Sequence, residues 1–418
     1  MLNLLLLPAL LVSSIHTDFE GGSLGKIEKV SDTHFRLAVK GESDQDGRNR
    51  QANWYYFRVD GASIGATLTL DIVSLAGEYN YQPNRGAITR DTPPVISYDG
   101  ISWEHIREYE YDATEPKLVL HVKPGAPRFW IAHCPPYTNQ NLLKLRTEIR
   151  RKPDFREEVV GKTLGGRDIL LWTIASGADK NRPVVWLMFR QHSWESGSSW
   201  AGEGAVRALL ESSAESKRLR EQAIWKIFPM CDPDGVARGG VRFNAKGFDL
   251  NRNWDVVDPV AMPEITAQRN AIQKWLKDGN RIDVFLSLHN TETAEYLEGP
   301  PENGGNGKFL PLAKRFFETL KTRSSFDPSR PLQFAEKTTT AGKPGRMTVI
   351  QGLYADFQIP GFLMELRVAH NPKLGRLPEL SDRLKFGAEL VRVIATSVLA
   401  SAPVAKTGGK RDAEASLR

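Results

Sequence analysis

In the stretch RQHSWESGSSW, residues 190–200, a histidine and a glutamate stand three positions apart just after an apolar run. His192 and Glu195 can each bind a divalent cation, but a polar pair on a loop is also commonplace, and spacing alone does not separate the two readings. A further nitrogen ligand closes the run DVFLSLH at His289. Two imidazoles and one carboxylate make a three-ligand set for one catalytic zinc ion per chain, with the fourth position left to water. No other histidine is as well placed. His34, His105, His121 and His133 fall in an earlier, differently patterned part of the chain, and His16 lies near its start. Cys134 and Cys231 are the only cysteines, which excludes a cysteine-based zinc site and a disulfide scaffold. Whether the two pair is left open.

A bound zinc lowers the pKa of its water toward neutrality and polarises a carbonyl oxygen, but the water still needs a general base nearby. Glu365, at the end of PGFLMEL, is the candidate; the alternative is that it merely pairs with Arg367. The remaining requirement is an anchor for the substrate. CDPDGVARGGVRFNAKGFDLNRNWD, residues 231–255, is too polar for a catalytic-domain segment without a task. Arg252 beside Asn251 can hold a carboxylate by paired hydrogen bonds. Arg242 can stabilise a developing oxyanion, and Asp249 can accept from a zinc-binding imidazole.

These residues need a scaffold that brings them together. Continuous apolar runs, DILLWTIA, PVVWLMF, AIWKIFPM, DVFLSLH and PGFLMEL, alternate with helical patterns at 202–211, 265–277 and 381–398. Buried strands interleaved with helices predict an α/β domain with a mixed, largely parallel central sheet, assigned to residues 139–402. Ligands of such sheets lie beyond the carboxyl ends of the strands. His192 and Glu195, His289, Glu365 and the CDPDG turn all follow strand ends, so four ends deliver polar groups to one edge. Before this domain, residues 19–138 carry short alternating runs such as THFRLAV, ATLTLDIV and KLVLHV, separated by turn residues. That texture predicts an antiparallel β-sandwich.

The 418 residues suit two domains, and 40% apolar with 25% charged residues fits a globular protein with a real core. A net charge of +6 without a dense basic stripe argues against nucleic acid as a partner. The Leu-rich run LNLLLLPALLVSS resembles a secretory signal, so residues 1–18 are expected to be a leader and the protein secreted or periplasmic; without that leader it is cytoplasmic. No stable membrane partner is expected. The polar end, 403–418, reads as a disordered tail.

Taken together, HSWE, DPDGVARGGVR, DLNRNWD, FLSLH and FLMELR resemble, in order and spacing, the zinc carboxypeptidases of peptidase family M14, closest to the cytosolic-carboxypeptidase-like branch. WYYFRVDGA and FWIAHCPPYTNQNLLKL are similar to that branch's N-terminal β-sandwich and linker. The resemblance implies His192, Glu195 and His289 as zinc ligands, and Glu365 as base and proton shuttle. It further implies Arg242 on the scissile carbonyl, Asn251 and Arg252 on the terminal carboxylate of a peptide or protein substrate, and Asp249 behind the first ligand. HSWE departs from the family's small-residue turn through Trp194, which marks a place for specificity. Only Tyr354 is available for the family's flexible tyrosine. Lys343 and Arg346 suggest an acidic C-terminal residue, and LEGPPENGGNGKF a lid. The rivals are a zinc amidohydrolase of the aspartoacylase or succinylglutamate desuccinylase kind and a non-catalytic peptide-binding relative.

Overall fold

The computed structural model describes residues 13–79, 81–84, 86–177, 181–335 and 344–399. Alternation shapes the first domain. Every second side chain of Leu68–Val73 and Lys117–Val122 is buried, as happens when one face of a sheet packs on a core and the other meets solvent. One five-stranded sheet runs Ser14–His16, Tyr56–Asp60, Phe129–Ala132, Val95–Ser97, Glu104–His105. The other runs Tyr109–Asp112, Lys117–Val122, Leu68–Val73, His34–Ala38, Ile27–Ser31. Phe57, Val59, Phe129 and Ile131 of the first meet Phe35, Leu37, Leu70 and Ile72 of the second in one core. The pairing departs from the expected antiparallel pattern at one place, where His34–Ala38 runs parallel to Leu68–Val73. A small four-stranded sheet that includes Glu42–Ser43 and Arg50–Gln51 lies beside them.

Ser14, Ile15 and His16 pair with Asp60, Val59 and Arg58. The expected leader of residues 1–18 therefore overlaps the first strand of the sandwich, and its boundary is corrected: His16 belongs to the folded domain. Residues 1–12 of the expected leader and the expected tail at 403–418 lie outside the described residues. No helix among the described residues is long and apolar enough to cross a membrane.

The second domain is built on an eight-stranded mixed sheet, in the order 155–162, 168–174, 224–228, 184–189, 284–291, 361–367, 296–299, 333–334. The four strands from 224–228 to 361–367 run parallel, and antiparallel neighbours flank them. All side chains of Val184–Phe189 and Ile224–Phe228 are buried, so both faces of the sheet are covered. The flanking strand Phe155–Lys162 (FREEVVGK) carries charge along a largely open edge, as edge strands do, and has no apolar run to betray it.

Helices Ser196–Leu210 and Leu380–Ser397 cross backbone to backbone. A Cβ on Gly204 would sit 2.0 Å from the Leu384 carbonyl oxygen, and one on Gly387 1.9 Å from that of Ala201. Only glycine permits that approach. The first of these helices begins at Ser196 rather than at Gly202, directly after Glu195. Helices Asn139–Ile149, Ala214–Gln222, Leu310–Arg323 and Val349–Phe357 were not legible as such in the sequence.

Candidate metal centre and active site

The chain leaves Val184–Phe189 through Arg190, whose φ of 61° reverses its direction. The Arg190 guanidinium is buried and serves as the former of the turn that follows. Nε and Nη2 donate to the Ser193 carbonyl at 2.9 and 2.7 Å, and Nη1 to Ser199 Oγ at 3.1 Å. Burial draws its pKa down to about 10, so it stays charged at neutral pH. The turn delivers His192 and then Glu195, which occupies the N-cap of Ser196–Leu210. There the helix's partial positive charge favours a carboxylate.

His192 Nδ1 lies 2.6 Å from Glu195 Oε1, and His289 Nδ1 lies 2.9 Å from Glu195 Oε2. One donor atom from each residue falls within 4.8 Å of the others, and all three residues are buried. The remaining nitrogens are held from behind. His192 Nε2 is 3.0 Å from Asp249 Oδ1, and His289 Nε2 is 2.9 Å from Ser287 Oγ and 3.1 Å from Gln191 Oε1. Acceptors at Nε2 place the proton there and turn the Nδ1 lone pairs toward Glu195, the tautomer a metal requires. Burial pushes the Glu195 pKa up, but imidazoles that carry a second proton, at Nδ1, outweigh it and hold the carboxylate below its usual range; a bound metal would take the place of those protons. The donor set fits zinc.

Strand register places Glu365 directly across from His289 on one side and from Tyr296 on the other. Its Oε2 is buried with no hydrogen-bond partner. Burial, reinforced by the Glu195 charge, raises its pKa well above the carboxylate range against the pull of Arg242. Arg367 does not pair with it, lying instead 3.5 Å from carboxylate oxygens of both Glu295 and Asp327.

DLNRNWD acts as one positioning loop. Asp249 Oδ1 faces His192, and Oδ2 accepts from Arg242 Nε at 2.7 Å. Burial raises the Asp249 pKa, yet Arg242 and His192 carry it well below its ordinary value. Asn251 Oδ1 accepts from the Val349 N–H at 2.9 Å, which leaves its amide NH2 near the ligands, 3.4 Å from His289 Nε2. Arg252 Nη1 donates to the Asn251 carbonyl at 2.8 Å. Trp254 is fully buried, and Asp255 accepts from Gly345 and Met347 N–H at 2.8 and 3.1 Å.

Other expectations come out differently. Asp232 of CDPDG caps the helix Pro233–Arg238 through the Gly235 N–H at 2.8 Å, so that fourth strand end supplies a helix cap. Trp194 turns away from the ligands into an apolar cluster with Trp54, Tyr56, Val95, Ala132 and Cys134 of the sandwich. It fills the seam between the domains. The Tyr354 hydroxyl accepts from the Gly305 N–H at 3.0 Å and tethers the glycine-rich loop. Arg346 is half-buried, and Lys343 lies outside the described residues. Cys134 and Cys231 are both free and buried. Arg190, Gln191 and Ser287 were missed although they flank the ligands in sequence, because none has ligand chemistry. Glu42 and Asn53 were also missed. Glu42 accepts from backbone N–H groups of the Arg242 loop, and Asn53 Nδ2 donates to Glu292 just past His289. Both come from the first domain, and nothing local marks them.

The fold and this three-ligand edge are those of a metal-dependent hydrolase class, and comparison with known proteins specifies it. The zinc carboxypeptidase family model matches residues 144–300, and the cytosolic carboxypeptidase N-terminal domain model matches residues 15–133. The chain belongs to the zinc carboxypeptidases of peptidase family M14, with the N-terminal domain of the cytosolic branch. It is 26% identical over 338 residues to cytosolic carboxypeptidase 3 of Bos taurus, covering 74% of this chain but only 32% of that protein. An uncharacterized protein of Zymomonas mobilis is 27% identical over 299 residues, 69% of this chain and 71% of its own. Among solved structures, a putative carboxypeptidase A from Shewanella denitrificans superposes with a TM-score of 0.78 at 25% identity, covering 93% of this chain and 99% of that one. A metallo-carboxypeptidase from Burkholderia cenocepacia gives 0.79 at 22%, covering 92% and 99%. Glu365 lies beyond the segment the catalytic family model matches, so its place rests on strand register.

Proposed function

We propose that the protein is a zinc metallocarboxypeptidase that hydrolyses the C-terminal peptide or isopeptide bond of peptides or proteins. The observation that carries this reading is the convergence of two Nδ1 atoms on Glu195, with Glu365 in register opposite His289. His192, Glu195 and His289 would hold one zinc ion, which when bound supplies an acidified water and a Lewis acid for the carbonyl. Glu365, buried at one oxygen and raised in pKa, is suited to take a proton from the attacking water and give it to the leaving amine. Arg242, anchored through Nε, presents its far guanidinium edge to the developing oxyanion. The Asn251 amide and Arg252 hold the substrate's terminal carboxylate.

A cytoplasmic site of action is favoured over export. Relatives in the family are named cytosolic carboxypeptidases. The substrate is a peptide or protein chain terminus presented to this sheet edge. The test is hydrolysis of a peptide panel differing in C-terminal residue, with N-acylated amino acids as a parallel arm and metal quantified on the same sample. Release of single C-terminal amino acids by zinc-loaded protein is the expected result. Turnover confined to acylated amino acids would move the protein to the amidohydrolases, and binding without turnover to non-catalytic peptide capture. Preference for Glu- or Asp-terminated peptides would implicate Lys343 and Arg346, the cationic residues expected to favour an acidic terminus.

A further inference from the structure

Arg242 is held in place by a residue of the other domain. Glu42, in the short strand Glu42–Ser43 of the small sheet beside the sandwich, projects one carboxylate oxygen into the turn at 241–243. Its Oε2 accepts from the N–H groups of Val241, Arg242 and Phe243 at 2.9, 2.6 and 2.8 Å, while Oε1 accepts from Arg238. Successive N–H groups point inward only when the backbone is curled into an anion-binding nest, and they repel one another unless an anion fills it. The carboxylate thus selects the backbone shape from which the Arg242 side chain departs. A second contact steadies the same loop: the Gln45 N–H donates to the Gly247 carbonyl at 3.1 Å. At Gly247, φ is +82°, and a Cβ would fall 2.4 Å from Gln45 N. From this shape the chain of bonds runs Arg242 to Asp249 at 2.7 Å and Asp249 to His192 at 3.0 Å.

We infer that Glu42 is a positioning residue for hydrolysis, through which the first domain sets the placement of the oxyanion arginine, and that this domain is therefore part of the active site's framework. The inference rests on the carboxypeptidase reading above. It differs from a simple domain tether in what it predicts. A tether affects how much protein is folded. A positioning group affects the interaction that Arg242 makes in the transition state, and does so only while Arg242 is present.

The test uses the full chain loaded with zinc. Glu42→Gln keeps the side chain's shape and removes its charge, and Glu42→Ala empties the nest. Turnover is expected to fall roughly 10- to 100-fold, less than the 10²–10³ that loss of an oxyanion donor itself costs. KM should stay within about threefold, because ground-state binding through Asn251 and Arg252 is untouched. Affinity for a tetrahedral phosphonate peptide analogue, measured by calorimetry, should fall with kcat, while affinity for the product peptide holds. The double variant Glu42→Ala with Arg242→Ala should lose no more than Arg242→Ala alone. Unchanged kcat and phosphonate affinity in folded Glu42→Gln would overturn the inference, as would losses that multiply in the double variant. If the unsubstituted protein cleaves no peptide, the function reading fails. The phosphonate-to-product affinity ratio still decides the role of Glu42.

Discussion

His133, just past the sandwich strand Phe129–Ala132, and His289, near the end of a strand in the catalytic sheet, are equally closed to solvent, yet only one is equipped for chemistry. Neither ring nitrogen of His133 has a hydrogen-bond partner. It packs between Tyr55 and Trp194, with ring centroids at 5.8 and 5.7 Å, and burial draws its pKa down to about 4. It behaves as a flat apolar filler. His289 has Glu195 at one nitrogen and Ser287 and Gln191 at the other. Burial of an imidazole therefore says little. What separates a ligand from a core residue is an acceptor at the second nitrogen that fixes the tautomer and aims the first.

The largest effect should come from the group that makes the ligand side reactive. Glu365→Gln is nearly isosteric and lies across from His289, so zinc content by atomic spectroscopy should be unchanged. Turnover should drop by about 10³-fold or more, within the range for loss of a general acid–base. Full activity in the Glu365→Gln variant would mean that the paired arrangement of Glu365 and His289 is architecture alone.

The same contrast explains which features were legible in advance. His192, Glu195, His289 and Glu365 sit at the ends of apolar runs, and an apolar run in an α/β pattern announces both a buried strand and the edge to which it delivers its last residue. DLNRNWD was legible as a loop too polar to be idle. Edge strands such as Phe155–Lys162 were not, because solvent on one side removes the apolar run. Trp194 stands between two ligands in sequence, whereas in space most of its apolar neighbours belong to the other domain, which no local pattern announces. Glu42 and Asn53 gave no sign at all, since a carboxylate that caps backbone N–H groups looks like any surface glutamate until the chain that donates to it is in place.

Trp194 tests the sandwich side of the contrast. Trp194→Ala removes a buried indole shared by both domains, and such truncations cost about 3–5 kcal/mol. A denaturant melt should show that loss, while kcat/KM of the folded protein on any one peptide changes by less than about tenfold. If stability held and the preference among C-terminal residues shifted, Trp194 would be the specificity element that its place between the ligands suggested.

Asp249 sharpens the ligand side. Asp249→Ala leaves His192 Nε2 and Arg242 Nε without their acceptor, so zinc affinity should fall by about 10- to 100-fold. Competition with a chromogenic chelator measures this directly. An unchanged affinity would show that the second nitrogen needs no fixed partner, and the distinction between the two histidines would collapse.

The smallest effect at neutral pH belongs to His133. Its folded-state pKa of about 4 lies below the ordinary 6.5, so the unfolded chain binds the proton more readily than the folded one. The stability associated with keeping it neutral is fully present above pH 6.5 and is lost as the pH falls from there toward 4, to a total of about 3 kcal/mol. His133→Phe keeps a flat ring between Tyr55 and Trp194 and removes the titration. At pH 7.5 the two proteins should differ by less than about 1.5 kcal/mol in either direction, with equal turnover and zinc content. Between pH 6.5 and 4 the variant should gain steadily relative to the parent in denaturant melts run in parallel, because other titrating groups cancel in the difference. A parent that lost no more stability than the variant over that interval would mean His133 finds a partner on protonation, and it would then have to be counted with the functional histidines rather than against them.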